Sequence, residues 1–396
     1  MAAYHHFYKS IDSQARQLFP GLKDTPEVAW DFLISPLELK LRRSIFEKAQ
    51  KAIAALYSVS RRDEYRSKLT PIPGVSQVSA PNQSVLMAYD FHTNEQGDCF
   101  LVEINTNASG FLLACLMESV HSGTPVNRLE AMISLRKSFE QEAALSHRQL
   151  AGARVAITDD DIQGQKMLPE FLMYRDWFKA LGADATFVEA RDFQFRDNQL
   201  LGPSGPIDFV YNRCTDFYFE DPSHLALLEA FKAHAACITP QPIEYWLLAD
   251  KQRLAQWTEK DFLDFASADE RSAITQVLIP TFEKTAYASE EEIWAQRKSL
   301  FFKPKRSFGG KSVYRGESVS RKVFERLMGE DILIQHFQPA AKFPTDDPRS
   351  VLTNWKYDLR FFVYGDEVQL ATARAYQGQV TNFSSVMGGF TRIQFV

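Results

Sequence analysis

Several features are scarce in this sequence, and each scarcity excludes a class of protein. The 396 residues contain four cysteines, Cys99, Cys115, Cys214 and Cys237, which form no close pair and match no zinc spacing, so a disulfide scaffold or zinc knot is not expected. No stretch reaches the roughly 18 apolar residues that cross a bilayer, and the start, MAAYHHFYKSID, lacks the apolar core of a signal peptide. We therefore expect a cytoplasmic protein with no membrane partner.

An excess of charge of one sign is also missing. The formal net charge is −5, from 45 basic and 50 acidic side chains, so nothing in the overall charge favours nucleic acid as a partner. Apolar residues, in contrast, make up 45% of the chain, and 31 of the residues are phenylalanine. A chain of this length and composition can build two or three domains around buried cores.

The predicted elements change in character along the chain. Residues 36–66 begin with proline and repeat apolar residues at helical spacing, which predicts one long amphipathic helix. Residues 84–93 and 99–106 have the composition of two strands joined as a hairpin. From residue 151 strands and helices alternate, which predicts a small α/β layer with a parallel sheet, and from residue 300 the chain is again rich in strands.

The hairpin carries the first candidate site. In the second strand, CFLVEINT, Glu103 and Asn105 are two residues apart, so both side chains lie on the same face. Asp90 is predicted on the partner strand, near the same side. Carboxylate and amide oxygens suit a hard cation such as Mg²⁺. The alternative is an ordinary polar strand edge that faces solvent.

A second candidate is the segment KPKRSFGGKSVYRG, residues 303–316. A strand ending in Lys303, a loop with Gly309 and Gly310, and a short second strand predict a hairpin whose tip can close over phosphates with its backbone N–H groups. The P-loop pattern is excluded because it needs glycine where Lys305 stands, and a helix after the serine. A surface hairpin with incidental lysines is the alternative.

The C-terminal strands supply further polar groups. Residues 331–340 predict a strand that runs into Gln335 and has a backbone edge suited to a planar base. Residues 357–378 predict two strands with Asp358 and Arg360 on one face of the first and Arg374 on the second, and Asn382 and a glycine pair at 388–389 follow. Facing a lysine loop, these groups predict a surface for anionic oxygens, although a strand-borne arginine is commonly a salt-bridge partner.

Two features of the α/β layer stay ambiguous. The acidic turn at residues 159–161 either forms a ligand loop or caps the N-terminus of a helix, the commoner role. Arg213 ends a predicted strand, where α/β folds place ligand groups, but a structural salt bridge accounts for it equally well.

The order of these segments resembles that of ATP-grasp ligases. The family's lysine followed by proline, Gly-Gly loop, adenine-hinge strand, Asp-x-Arg strand, arginine strand and asparagine followed by Gly-Gly are matched in order over residues 303–389. The hairpin YDFHTNEQGDCFLVEIN, residues 89–105, is similar to that of circularly permuted ATP-grasp proteins, which include glutathionylspermidine synthetases. One departure is Ala88, where the synthetases have an arginine two residues before the metal aspartate.

The resemblance implies an α+β fold, namely a circularly permuted ATP-grasp fold with an additional α/β domain of the pre-ATP-grasp kind. Residues 1–120 would be the permuted C-terminal part of the catalytic sub-domain, with the metal-binding hairpin. Residues 121–250 would form the α/β domain with a helical connector, residues 251–330 the lid sub-domain, and residues 331–396 the remaining catalytic strands.

The resemblance also implies ATP and Mg²⁺ as cofactors and assigns roles to individual residues. The implied ATP contacts are Lys251, Lys303, Ser307, Gly309, Gly310, Lys311 and Gln335. The implied metal ligands are Asp90, Glu103 and Asn105. The implied catalytic residues are Arg360 and Arg374, which would face the transferred phosphoryl group, and Asn382.

The activity implied by the resemblance is that of an ATP-dependent carboxylate–amine ligase. Such an enzyme joins a small-molecule or peptide carboxylate to an amine through an acyl phosphate. Two alternatives stay open: an ATP-grasp kinase that phosphorylates a hydroxyl group, and a non-catalytic nucleotide- or partner-binding protein, with which Ala88 is consistent. The substrates and the oligomeric state do not follow from the sequence.

Overall fold

The computed structural model describes residues 4–25, 27–305, 314–344 and 354–396, and within them the chain is a mixed α/β protein with several sheets. The strands are β1 Ile34–Leu41, β2 Met87–Thr93, β3 Cys99–Asn105, β4 Arg154–Asp159, β5 Asp184–Glu189, β6 Gln194–Arg196, β7 Gln199–Gly202, β8 Gly205–Pro206, β9 Phe209–Asn212, β10 Cys237–Thr239, β11 Thr281–Glu283, β12 Leu300–Pro304, β13 Tyr314–Arg315, β14 Ile332–His336, β15 Ala341–Lys342, β16 Lys356–Tyr364, β17 Glu367–Tyr376 and β18 Gly389–Phe395.

The helices connect and cover these sheets. They are α1 His5–Leu18, α2 Trp30–Leu33, α3 Arg43–Ser60, α4 Asp63–Ser67, α5 Phe111–Ser122, α6 Glu130–Leu145, α7 Leu168–Ala180, α8 Leu225–Lys232, α9 Pro242–Glu244, α10 Gln252–Thr258, α11 Ala268–Thr275, α12 Glu290–Gln296 and α13 Arg321–Met328, with a π-helical turn at Tyr245–Ala249. In the described ranges, no helix has both the length and the apolar character needed to span a membrane.

The largest sheet has seven strands and combines distant parts of the chain. Its order is β1–β18–β17–β16–β2–β3, with β15 paired to β16. The predicted hairpin of β2 and β3 is confirmed, and β2 lies antiparallel to β16, so residues 87–105 and 356–395 share one sheet. All of β16 except its first residue is buried, as expected for a central strand covered on both faces.

The predicted long helix over residues 36–66 is wrong in its first part. Residues 34–41 form strand β1, which pairs in parallel with β18, and helix α3 begins only at Arg43. In β1 the residues Leu37, Leu39 and Leu41 are buried while Glu38 and Lys40 are exposed, a period of two that the proline at position 36 obscured.

The predicted α/β layer is confirmed. Strands β10, β9, β4 and β5 form an all-parallel sheet, and helices α7 and α8 alternate with its strands along the chain. The acidic turn does not cap a helix, because α7 begins only at Leu168. A small antiparallel sheet of β6, β7 and β8 extends from this layer.

A four-stranded antiparallel sheet, called the small sheet below, has the order β11–β14–β12–β13. It packs on helices α12 and α13 through a core of its own, which includes Ile293, Phe302, Phe324 and Leu327. The segment just before β11 contacts the edge of the large sheet, since the Leu101 N–H of β3 donates to the Val277 carbonyl at 2.7 Å. This contact forms a seam between the large sheet and the segment that leads into the small sheet.

Candidate functional site

Residues of the large and small sheets line one cavity of about 990 Å³. Nine of the predicted site residues line it: Asp90, Glu103, Asn105, Lys251, Lys303, Gln335, Arg360, Arg374 and Asn382. The other four, Ser307, Gly309, Gly310 and Lys311, lie outside the described residues. Residues almost 300 positions apart in the sequence are thus brought to a single site.

The proposed metal ligands lie side by side on β2 and β3. Asp90 pairs with Glu103 across the hairpin, and the Asn105 amide nitrogen lies 3.2 Å from an Asp90 oxygen and 3.3 Å from a Glu103 oxygen. Because of this contact the three side chains form one oxygen-rich group at the wall of the cavity. Carboxylate and amide oxygens of this kind are ligands that Mg²⁺ accepts.

Asp90 is also engaged by two arginines. Arg360, opposite Asp90 on β16, donates to both of its oxygens at 2.8 and 2.7 Å, and Arg374 lies 3.0 Å away. Burial favours a raised pKa for the Asp90 carboxyl, but the two guanidinium groups hold it below its usual range. Asp90 is therefore a charged carboxylate whose oxygens are paired with two arginines. Glu103 and Asn105 have oxygen atoms that are more available to a metal ion.

Arg374 is held by a second carboxylate. Its guanidinium donates to the two oxygens of Asp358 at 2.8 Å each, in the bidentate geometry typical of arginine and carboxylate. Burial acts to lower the pKa of Arg374, and the neighbouring carboxylates of Asp358 and Asp90 raise it above its usual value. The two arginines on the strands therefore form salt bridges, as is common for such residues. These salt bridges lie in the cavity wall and fix the position of both guanidinium groups.

Two lysines line the same cavity. Lys303 on β12 is 2% exposed, and its ammonium donates to the Val102 carbonyl at 2.9 Å. Burial lowers the pKa of Lys303 to about 8, and burial likewise lowers the pKa of Lys251, the residue just before α10. A poorly solvated ammonium group is strongly stabilised when a phosphate brings negative charge next to it.

The aromatic end of the cavity was not predicted. Phe301 and Phe337 line it with nearly parallel rings, 6.4 Å apart between centroids and inclined by 20°. Phe301 lies two residues before Lys303 on β12, so the strand period could have shown that both side chains share a face. Flat apolar rings of this kind suit a planar base.

The predicted hinge residues are partly committed to the sheet. The Gln335 side chain donates to the Thr281 hydroxyl at 3.0 Å, and the backbone N–H groups of His336 and Phe337 donate to Pro280 and Ser299, each at 2.8 Å. Gln335 and His336 line the cavity, and so does the segment of residues 338–340 that follows them.

Asn382 lines the cavity but its recorded contacts are local. Its amide nitrogen donates to the carbonyls of Gln377 and Val380, at 2.7 and 3.0 Å, so it organises the loop before β18. The neighbouring Thr381, not predicted from the sequence, donates to Asp358 and so supports the arginine pair. The catalytic role expected of Asn382 stays a prediction.

The ambiguity of Arg213 is settled in favour of a structural contact. Arg213 is buried and donates to the Ala108 carbonyl at 2.8 Å, to the Tyr211 hydroxyl at 2.7 Å and to the Ser109 hydroxyl. Burial acts to lower its pKa, and Tyr211 and Glu170 raise it above the usual value. Arg213 thus holds the loop that follows Asn105, and Ser109 of that loop lines the cavity.

Comparisons with known proteins add little to this geometry. No protein-family model matches the chain, and no curated protein matches it. Among solved structures, the chain is similar to a Methylobacillus flagellatus KT protein provisionally described as a gamma-glutamylcysteine synthetase, with a TM-score of 0.48 and 10% sequence identity over 90% of this chain and 89% of that chain. A likeness at this level assigns no activity to the chain.

Proposed function

We propose that this chain is an ATP-dependent carboxylate–amine ligase with a circularly permuted ATP-grasp fold. One observation carries the proposal. The acid–amide pair on β3, near the start of the chain, lines the same cavity as Lys303, whose ammonium lies 2.9 Å from the carbonyl of Val102, the residue just before Glu103. A metal platform and a phosphate-binding lysine belong together in phosphoryl transfer.

The proposed domains are consistent with this shared cavity. Residues 1–120 and 331–396 are proposed to form one catalytic sub-domain, which is supported by the sharing of strands β1, β2, β3 and β16–β18 in one sheet. Residues 251–330 are proposed as the lid, supported by the separate core of the small sheet. Residues 121–250 would form the accompanying α/β domain.

The donor set fits magnesium. Glu103 and Asn105 would hold the ion, while Asp90 stands beside them with its oxygens paired to Arg360 and Arg374. When bound, magnesium offsets the charge of the ATP phosphates. A ligase of this kind needs no nucleophile from the protein. The substrate carboxylate would attack the terminal phosphorus of ATP and release ADP, and the amine would then attack the carbonyl carbon of the acyl phosphate and release inorganic phosphate.

The task of the other residues is positioning and charge. Lys303 and Lys251 are proposed to bind phosphate oxygens, since their ammonium groups are desolvated and face the cavity. Arg360 and Arg374 are each fixed by a bidentate contact with a carboxylate. Their side chains therefore lose little conformational freedom when a substrate binds. Phe301 and Phe337 offer flat surfaces for the base.

The proposal is tested by supplying ATP, magnesium, a panel of carboxylic acids and hydroxylamine, a small general amine. A ligase releases ADP and forms a hydroxamate with any acid that it activates. Glu103→Gln should abolish this product, whereas the control Glu95→Gln, an exposed position on the same hairpin, should not. ADP formed together with a stable phosphorylated acceptor, and no hydroxamate, would overturn the ligase in favour of a kinase.

A non-catalytic nucleotide-binding protein is the second candidate, and one observation favours it. Ala88, where the synthetases have arginine, is fully buried beside Phe362 in the apolar core, so the chain has no basic group at that position. Tight binding of ATP without ADP formation across the panel would support this candidate. ADP release that depends on an added acid would exclude it.

A further inference from the structure

A second polar cluster lies in the α/β layer, outside the cavity of the proposed ligase site. Asp160, Cys214 and His224 each offer one ligand atom, and the three atoms lie within 4.8 Å of one another. None of the three residues lines the cavity. Within the described part of the chain, this is the only group of three or more histidine, cysteine or acidic side chains arranged in this way.

The fold explains why these residues meet. Strands β4 and β9 are parallel neighbours that end at Asp159 and Asn212, so the residues after them emerge at the same edge of the sheet. The Cys214 N–H donates to the Asn212 side chain at 3.0 Å, which fixes the cysteine just past the end of β9. A short 3₁₀ turn, Pro222–His224, capped by Asp221, brings the histidine to the same edge.

The imidazole of His224 is held by a carboxylate at each ring nitrogen. Its Nδ1 lies 2.6 Å from an Asp216 oxygen, and Asp216 in turn accepts from the Asp221 N–H at 2.8 Å. Its Nε2 lies 2.5 Å from an Asp160 oxygen, so a metal ion bound by both would replace that hydrogen bond while Asp216 keeps the ring in place. Metal-bound histidines typically have this arrangement, in which an outer carboxylate fixes the ring.

The cluster contains more than a histidine between two aspartates. The buried Cys214 interacts with His224 through a side-chain hydrogen bond, and its sulfur lies within 4.8 Å of both other ligand atoms. Sulfur, imidazole and carboxylate together select borderline metals such as zinc rather than magnesium. The Asp160 side chain is 49% exposed, which gives a metal ion a route into the otherwise buried group.

We propose that Asp160, Cys214 and His224 bind one zinc ion, with Asp216 as the positioning residue for the imidazole and a fourth position open to water or a ligand. A thiolate and a carboxylate offset the two charges of zinc, so the ion together with its three ligands carries no net charge. This site does not depend on the proposed ligase activity, since it shares no residue with the cavity.

Metal titration of the 396-residue chain, freed of metal, tests the proposal. The chain should take up one equivalent of zinc, and cobalt in its place should give a thiolate-to-cobalt charge-transfer band. Cys214→Ser should remove the band, and Asp216→Asn should weaken binding by roughly 10–100-fold while keeping it. The control Cys237→Ser, at another buried cysteine in the same sheet, should change neither.

The absence of stoichiometric zinc binding would overturn the proposal, as would a Cys214→Ser variant that keeps the affinity and the cobalt band. If that variant does not fold, X-ray absorption on the zinc-loaded natural chain decides the question. One sulfur at about 2.3 Å among nitrogen and oxygen neighbours is expected, and a shell without sulfur would contradict the site.

Discussion

Buried charged side chains have different partners in the large and small sheets. In the large sheet, Asp90, Asp358, Arg360 and Arg374 are paired across adjacent strands at 2.7–3.0 Å. In the small sheet, Lys303 is as deeply buried, yet the partner recorded for it among the described residues is a backbone carbonyl. Charges in bidentate pairs maintain the site, whereas a buried cation that donates to a neutral carbonyl keeps its charge available to a ligand.

The sharpest test of this comparison is Arg374→Met. The substitution leaves Asp358 and Asp90 buried with one guanidinium fewer, so we expect the free energy of unfolding to fall by about 3–5 kcal/mol. Denaturation by urea measures the change. Lys303→Met, which removes a desolvated ammonium, should cost little or even stabilise the protein. Equal losses in the two variants would contradict the division between paired and available charges.

The second test concerns binding. Lys303→Met should weaken the binding of an ATP analogue by about 10–150-fold, the loss of one charge-assisted hydrogen bond of about 1.5–3 kcal/mol. Titration calorimetry with magnesium present measures it. The matched control is Lys305→Met on the same segment, because Lys305 is paired with Glu283 and Asp331, each at 2.9 Å. A similar loss at Lys305 would show that general charge, and not this site, attracts the nucleotide.

The third test concerns how β18 joins the large sheet. Gly389 has a φ of +105°, and a Cβ there would lie 2.2 Å from the Leu33 carbonyl oxygen. Gly389→Ala should therefore lower the stability by about 1–3 kcal/mol, measured as a fall in Tm. Gly74→Ala separates the two causes, since Gly74 has a φ of +75° with no atom within 4 Å of the added Cβ. An equal effect at both positions would show that backbone conformation, not the close approach, limits position 389.

The smallest expected effect is a pH dependence. Burial lowers the pKa of Lys303 to about 8, and phosphates bind its charged form. Affinity for the ATP analogue should therefore be steady below pH 8 and fall as the pH rises above it, by up to about tenfold per pH unit. Lys303→Arg should bind without this decline, because a guanidinium stays charged. A decline that persists in this variant would assign the titration to another group.

Local patterns predicted the elements that lie within one continuous segment. The parallel layer and the hairpin of Asp90, Glu103 and Asn105 follow from periodicity and turn residues, which act over a few positions. Strand β1 was missed because a proline followed by closely spaced leucines also fits the start of a helix. Its true partner, β18, lies some 350 residues away.

The pairs that make the site could not be predicted from local patterns. The contact of Arg360 with Asp90 depends on β16 being the neighbour of β2, a pairing across 270 residues that only the family resemblance suggested. Asp160, Cys214 and His224 have no recognisable spacing in the sequence. They meet because two parallel strands end at the same edge of the sheet, and no short sequence motif indicates that these strands are neighbours.

The seam at β3 has one more consequence, which concerns association between copies of the chain. β3 is an edge strand of the large sheet, and bare strand edges invite pairing with other strands and so aggregation. Here the Leu101 N–H is taken by Val277, and the Val102 carbonyl by the Lys303 ammonium. The lysine proposed to bind nucleotide therefore also occupies one hydrogen-bonding group of a strand edge, and so makes that edge less open to pairing with another copy of the chain.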